Sequence, residues 1–171
     1  MQIKKRNGDV VAFDVEKIRA AMRKAFAATG VGIEESELDK LSLAVQQSVE
    51  KATALTVENV QDRVEQELMA AGYYETAKAY VLYREERAKL RRARESIAAQ
   101  FKDPSLERVL REIERDFSSP AYAISILADK FERFARAGMS DTDRESTLVK
   151  AAVELITMSA PSWEFIAARL Y

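Results

Sequence analysis

Neither cysteine nor histidine occurs among the 171 residues. Without cysteine there is no disulfide framework, no thiolate zinc site and no thiol nucleophile. Without histidine the usual imidazole base, the Ser-His triads and the commonest metal ligand are missing too. Glycine and proline are scarce, with 5 and 3 copies. Against abundant Ala, Glu, Arg and Leu, that scarcity points to a mostly helical chain. Net charge is also lacking, since 27 Lys+Arg face 28 Asp+Glu. A general nucleic-acid binder is usually basic, so no direct nucleic-acid partner is expected. No apolar run is long enough to span a bilayer, and the N-terminus carries no signal-peptide h-region. A cytoplasmic chain with no membrane contact is the expectation. No Gly-rich P-loop, metal constellation or nucleophile–base pair is visible, so no catalytic residue and no metal site is assigned.

What is present begins with the stretch from Ile3 to Ile18. Asn7-Gly8 predicts a β-hairpin, because a type I′ turn needs φ > 0 at both central residues. Gln2–Arg6 and Asp9–Phe13 would be its strands, and Asp14 would cap the helix that follows. Lys4, Lys5 and Arg6 crowd the end of the first strand, and Lys17 emerges one turn into the helix. Cations on a hairpin folded back near a helix N-terminus suit a polyphosphate. They equally suit a solvated edge hairpin whose lysines discourage aggregation.

Four helices follow by periodicity. The first carries Ile18, Met22 and Phe26 and ends at Thr29-Gly30. The second runs over Glu34–Ala52, and the third begins at an N-cap, Thr56, and closes at Gly72. The fourth runs from Tyr73 to about Ile97, and its second half is rich in arginine. That half reads as a solvated helix laced with ion pairs or as a basic arm for a phosphate or acidic surface. Asp103-Pro104-Ser105 breaks the pattern, because the residue before proline is pushed out of the helical region. Beyond it the chain is all helix by pattern. One stripe is Leu106, Val109, Leu110 and Ile113; another is Ile124, Leu127, Phe131 and Phe134, ending at Gly138. A third helix, capped by Ser140 or Asp141, carries Leu148, Ala152, Leu155 and Ile156, and a last one spans Trp163–Tyr171.

Lys5 to Ile18, with its K-R-x-G-x-x-x-x-F-D-x-x-K-I pattern, resembles the opening of the ATP-cone, a regulatory nucleotide-binding domain. Val57–Glu65 resembles that family's third helix and Ala77–Arg87 its last, in the family's order and spacing across residues 1–95. Residues 148–156 and 160–170 resemble the N-terminal helical region of the ribonucleotide reductase large subunit. The fold class expected is therefore mainly α: a short N-terminal β-hairpin on a four-helix cluster over 1–95, then an all-helical extension over 101–171. The family's catalytic barrel would lie beyond residue 171.

The resemblance implies ATP or dATP as an allosteric effector, escorted by Mg²⁺, which switches ribonucleoside-diphosphate reduction by changing subunit association. The implied partners are an adenine nucleotide and a second copy of the chain or other reductase subunits. Lys5 and Arg6 match the family's phosphate-contacting pair, and Lys17 matches another phosphate-side lysine. Val11, Ala12, Phe13, Asp14 and Ile18 match the segment that wraps base and ribose. Phe13 either packs on adenine or seals the hairpin, and Asp14 serves as cap, ligand or both. Thr56 or Val57 sits where the third helix approaches the nucleotide. Where some members carry a phosphate-binding lysine, this chain has Glu86, leaving Arg84 or Arg87 as substitutes from adjacent turns. Two other classes compete. One is a helical interaction module that binds no nucleotide. The other is an ATP-cone transcriptional regulator, whose zinc ribbon would need four cysteines ahead of the cone.

Overall fold

A computed structural model describes residues 1–6, 8–50 and 55–171. β1 (Gln2–Lys4) and β2 (Val10–Ala12) pair antiparallel, with Gln2 opposite Ala12 and Lys4 opposite Val10. The strands are shorter than the pattern suggests. The Lys5 amide donates to the Asp9 carbonyl (2.7 Å) and the Gly8 amide to the Lys5 carbonyl (3.0 Å). That register leaves three residues between Lys5 and Asp9, not the two of a type I′ turn. Gly8 has φ +91°, the left-handed conformation that closes a three-residue loop and that glycine adopts without steric cost. Asn7, the other residue of the expected turn, lies outside the described residues.

α1 (Val15–Thr29) starts at Asp14, whose Oδ1 accepts from the Glu16 amide at 3.1 Å, and ends on Gly30 in the left-handed region. α2 is Glu35–Val49; of its longer expected range, Ala52 lies outside the described residues. α3 (Val57–Ala70) opens with a capping box, in which the Thr56 hydroxyl accepts from the Asn59 amide and the Asn59 side chain accepts from the Thr56 amide. α4 (Tyr74–Ala98) is the longest helix. Among the described residues, Gln2–Lys4 and Val10–Ala12 are the only strands, as the helical periodicity after residue 14 requires.

The chain divides into two compact units, Met1–Glu85 and Glu86–Tyr171, and the division falls within the residues of α4. In the first unit the core is Met22 and Phe26 of α1, Leu38 and Val45 of α2, Val64 and Leu68 of α3, and Ala77 and Tyr80 of α4. The hairpin is tied to the start of α3, because the Lys4 amide donates to the Leu55 carbonyl at 2.9 Å and Lys4 bridges Thr56 in parallel.

The second unit is built from the C-terminal part of α4, which contributes the buried Ile97, and from α5 (Ser105–Asp116), α6 (Ile124–Phe134), α7 (Asp141–Val153) and α8 (Trp163–Leu170). A 3₁₀ turn at Pro120–Tyr122 precedes α6. Leu110, Ile113, Leu127, Phe131 and Trp163 are fully or almost fully buried. The Trp163 indole donates to the Ala121 carbonyl at 3.1 Å, so burial leaves its polar group satisfied. Two expected ends move. α6 stops at Phe134 rather than at Gly138, because Ala135 turns to extended backbone (ψ 138°). α7 ends at Val153, where the Leu155 and Ile156 amides make tighter three-residue bonds to Ala152 and Val153. No helix among the described residues is long and apolar enough to cross a membrane.

Candidate functional site

β2 leads directly through Phe13 and Asp14 into α1, while β1 is bonded to the segment before α3. A cavity of about 220 Å³ lies between these elements. Of the residues singled out from the sequence, Lys5, Val11, Ala12, Phe13, Asp14, Lys17, Ile18 and Val57 all line it. Five more join them to which no binding role was assigned: Ile3, Ala21, Val60, Gln61 and Tyr80. Periodicity hides Ile3 and Val60 as ordinary core positions. Gln61 carried a readable signal, because it stands four residues after Val57 and so shares its helix face.

The lining is apolar on most sides and cationic at one edge. Asp14 is committed twice, through Oδ1 to the Glu16 amide and through Oδ2 to the Lys17 ammonium at 3.5 Å. That pair is solvent-exposed, with the Lys17 side chain 78% accessible, so the ammonium is free to turn to a stronger anion. Phe13 is half-buried, packs against the core and also lines the cavity, so sealing the hairpin does not withdraw it from the site. Thr56 caps α3, and its neighbour Val57 lines the cavity.

Three cations expected here do not line the cavity, although Arg6 bonds to a residue that does. Arg6 is gripped by two α3 side chains: its Nε meets Glu58 Oε1 at 2.5 Å and a terminal nitrogen donates to Gln61 Oε1 at 3.0 Å. Burial pushes the Glu58 carboxyl up, but a bond from its own backbone amide and the Arg6 charge outweigh that and hold it below its ordinary value. Arg84 donates to Asp62 and Glu65, each at 2.7 Å, and ties α4 to α3. Burial works against its charge, yet those two hydrogen bonds keep its pKa above the ordinary value. Arg87 is exposed on α4 and does not line the cavity, and the same holds for Glu86.

Tyr80, 5% exposed, lines the cavity from α4. Burial, reinforced by the Glu65 carboxylate, pushes its phenol up from 10 to about 12. A folded value above the unfolded one means that this stability is complete below pH 10 and is lost as pH rises through about 12. Wild type should therefore lose roughly 2 kcal/mol more than Tyr80→Phe between pH 9 and 12. Urea unfolding at intervals across that range checks this; parallel curves for the two proteins would refute it.

A larger open cleft of about 580 Å³ occurs in the second unit, lined among others by Phe101, Leu106, Leu148, Asp103 and Glu145. Its described lining contains no Lys or Arg, so it offers no cation to a phosphate. A further cleft of about 640 Å³ sets Lys102, Arg136 and Arg144 beside Phe101, Ala135 and Ala137, but Asp141 already pairs with Lys102 at 2.8 Å and with Arg144 at 3.0 Å. The hairpin cavity differs in being walled mostly by apolar side chains, with Lys5 and Lys17 at its edge.

The model of the ATP cone domain family matches residues 1–89, more than half of the chain, and the chain belongs to that family. Its first unit is accordingly an adenine-nucleotide-binding regulatory module. Among full-length relatives, the chain is 37% identical over 178 residues to the ribonucleoside-diphosphate reductase subunit alpha of Treponema pallidum, a match covering 99% of this chain and 21% of that protein. The corresponding subunit of Chlamydia pneumoniae is 42% identical over 96 residues, covering 51% of this chain and 9% of that one. A vitamin B12-dependent ribonucleoside-diphosphate reductase of Mycobacterium tuberculosis is 34% identical over 94 residues, covering 54% and 13%. The chain thus spans about a fifth of the length of the treponemal relative and less of the others.

Proposed function

We propose that the hairpin cavity binds ATP or dATP and that occupancy switches ribonucleoside-diphosphate reduction, carried out by parts of a reductase alpha subunit outside these residues. The observation that carries this reading is the convergence of Lys5 and Lys17 with the apolar Val11, Phe13, Ile18 and Val57 on one cavity. The apolar walls take the base, and the two ammoniums take phosphate oxygens through charge-assisted hydrogen bonds. Lys17 leaves Asp14 as the phosphates arrive, while Asp14 keeps the α1 cap through its other oxygen. Mg²⁺ fits as an escort of the polyphosphate. Asp14 is the only carboxylate lining the cavity, and no cluster of three or more acidic ligands exists among the described residues. The ion is then held mainly by phosphates and water, as Mg²⁺ prefers.

Switching operates through association with a second copy or with other reductase subunits, and the expected compartment is the cytoplasm. Calorimetric titration of the full chain with ATP and dATP, with and without Mg²⁺, tests the reading. Saturable binding of either nucleotide, with no hydrolysis of it, is the expected result. No heat and no rise in melting temperature at millimolar nucleotide would leave the helical interaction module in its place.

A further inference from the structure

Among the described residues Gln61 is the one carboxamide lining a mostly apolar cavity, and its orientation follows from elementary chemistry. Arg6 donates to Gln61 at 3.0 Å. A guanidinium has five donors and no acceptor, so its partner atom must be the carboxamide oxygen. With that oxygen occupied, the group Gln61 retains for anything in the cavity is its NH₂, a donor. Glu58, one turn earlier on α3, meets the same guanidinium at 2.5 Å. Arg6 is thus clamped at two points, and its charge is already matched by a carboxylate. A clamped, neutralised arginine is a poor phosphate ligand compared with Lys5 and Lys17, which line the cavity as Arg6 does not.

We propose that Gln61 is a specificity-determining residue that donates its carboxamide N–H to a ring nitrogen of the bound purine, and that Arg6, itself held by Glu58, is the positioning residue that fixes this orientation. The inference rests on the nucleotide reading of the cavity. A purine in an apolar pocket needs its ring acceptors satisfied, since an unpaired buried acceptor costs more than a hydrogen bond returns. Gln61 supplies such a donor from the α3 face that also carries Val57. A site built to hydrogen-bond a ligand atom discriminates strongly against the analogue that lacks it.

The test uses the full chain as wild type, Gln61→Met, Gln61→Glu and Arg6→Met. Each is titrated with ATP and with its 1-, 3- and 7-deaza analogues, in which one ring nitrogen is replaced by C–H. Wild type should bind one analogue about tenfold more weakly than ATP. Gln61→Met should bind ATP about tenfold more weakly and no longer distinguish that analogue from it. Gln61→Glu keeps an acceptor for Arg6 but has no donor, so it too should lose the discrimination, which separates the donor from any packing defect. Arg6→Met is compared on ATP and on adenosine. A positioning residue weakens both ligands, whereas a phosphate ligand weakens ATP alone. Equal discrimination by wild type and both Gln61 variants, or an Arg6→Met defect confined to ATP, overturns the proposal while leaving the site a nucleotide site. Failure of wild type to bind ATP at all overturns this proposal and the reading beneath it together.

Discussion

The double substitution Lys5→Ala, Lys17→Ala should weaken ATP binding by about a hundredfold to ten-thousandfold and leave the melting temperature of the free chain nearly unchanged. A hydrogen bond to a charged group contributes roughly 1.5–3 kcal/mol, or about ten- to a hundredfold in dissociation constant for each lysine. The two stand on different segments, Lys5 in the loop just after β1 and Lys17 in α1, so their effects should nearly add. Folding should hardly notice. Lys17 makes one exposed pair with Asp14, and such pairs contribute about 0–1 kcal/mol. Lys40→Ala is the control: it sits exposed on α2, pairs only locally with Glu37 at 3.3 Å, and should change neither quantity. Raising ionic strength should weaken wild type more than the double variant, because screening acts on the charges that remain. If the double variant and Lys40→Ala bind ATP alike, the hairpin cations are only edge protection.

The second large effect lies in the other unit. Arg94 is 9% exposed and reaches Glu114 at 2.5 Å, with Glu107 at 3.7 Å. Both side chains of the close pair are nearly enclosed, at 10% and 11% accessible, and each retains a buried atom, Arg94 Nε and Glu114 Oε1, without a hydrogen-bond partner among the protein atoms. Removing Arg94 strands the enclosed Glu114 carboxylate, so Arg94→Met should cost about 3–5 kcal/mol, whereas Glu114→Leu leaves Arg94 its longer pair with Glu107 and should cost less. Removing both replaces an imperfectly satisfied pair by packed hydrocarbon, and the double variant should return to wild-type stability or exceed it by about 1–4 kcal/mol. Denaturant unfolding of the four proteins closes the cycle. Additive losses in the double variant would mean that the two groups stabilise the fold independently. Nucleotide affinity should be untouched in all four, since neither residue lines the hairpin cavity.

Local features were legible wherever one residue's chemistry suffices. Asp14 and Thr56 had to cap, because their side-chain oxygens reach the free amides of the next turn from that position and few residues compete for the role. Gly30 had to end α1 for want of a Cβ. Lys5, Val11 to Asp14, Lys17 and Ile18 share the cavity because they are contiguous or one turn apart, so a hairpin running into a helix gathers them without help from the rest of the chain. The end of α6 was less legible. A glycine at 138 is a strong stop signal, yet the chain leaves the helix at Ala135, which has no breaker of its own.

The sequence by itself thus determined the helical class, the caps, the single hairpin and the local half of the cavity, since each depends on spacings of a few residues. Tertiary structure decided the other half. Gln61 and Tyr80 reach the cavity only because β1 is bonded to the segment before α3 and α4 packs behind it. It also decided the arginines: Arg6 met Glu58 and Gln61, and Arg84 met Asp62 and Glu65, partners about twenty to fifty-five residues away. A guanidinium pairs with whichever carboxylate folding brings within reach, and one-dimensional order carries no record of that distance.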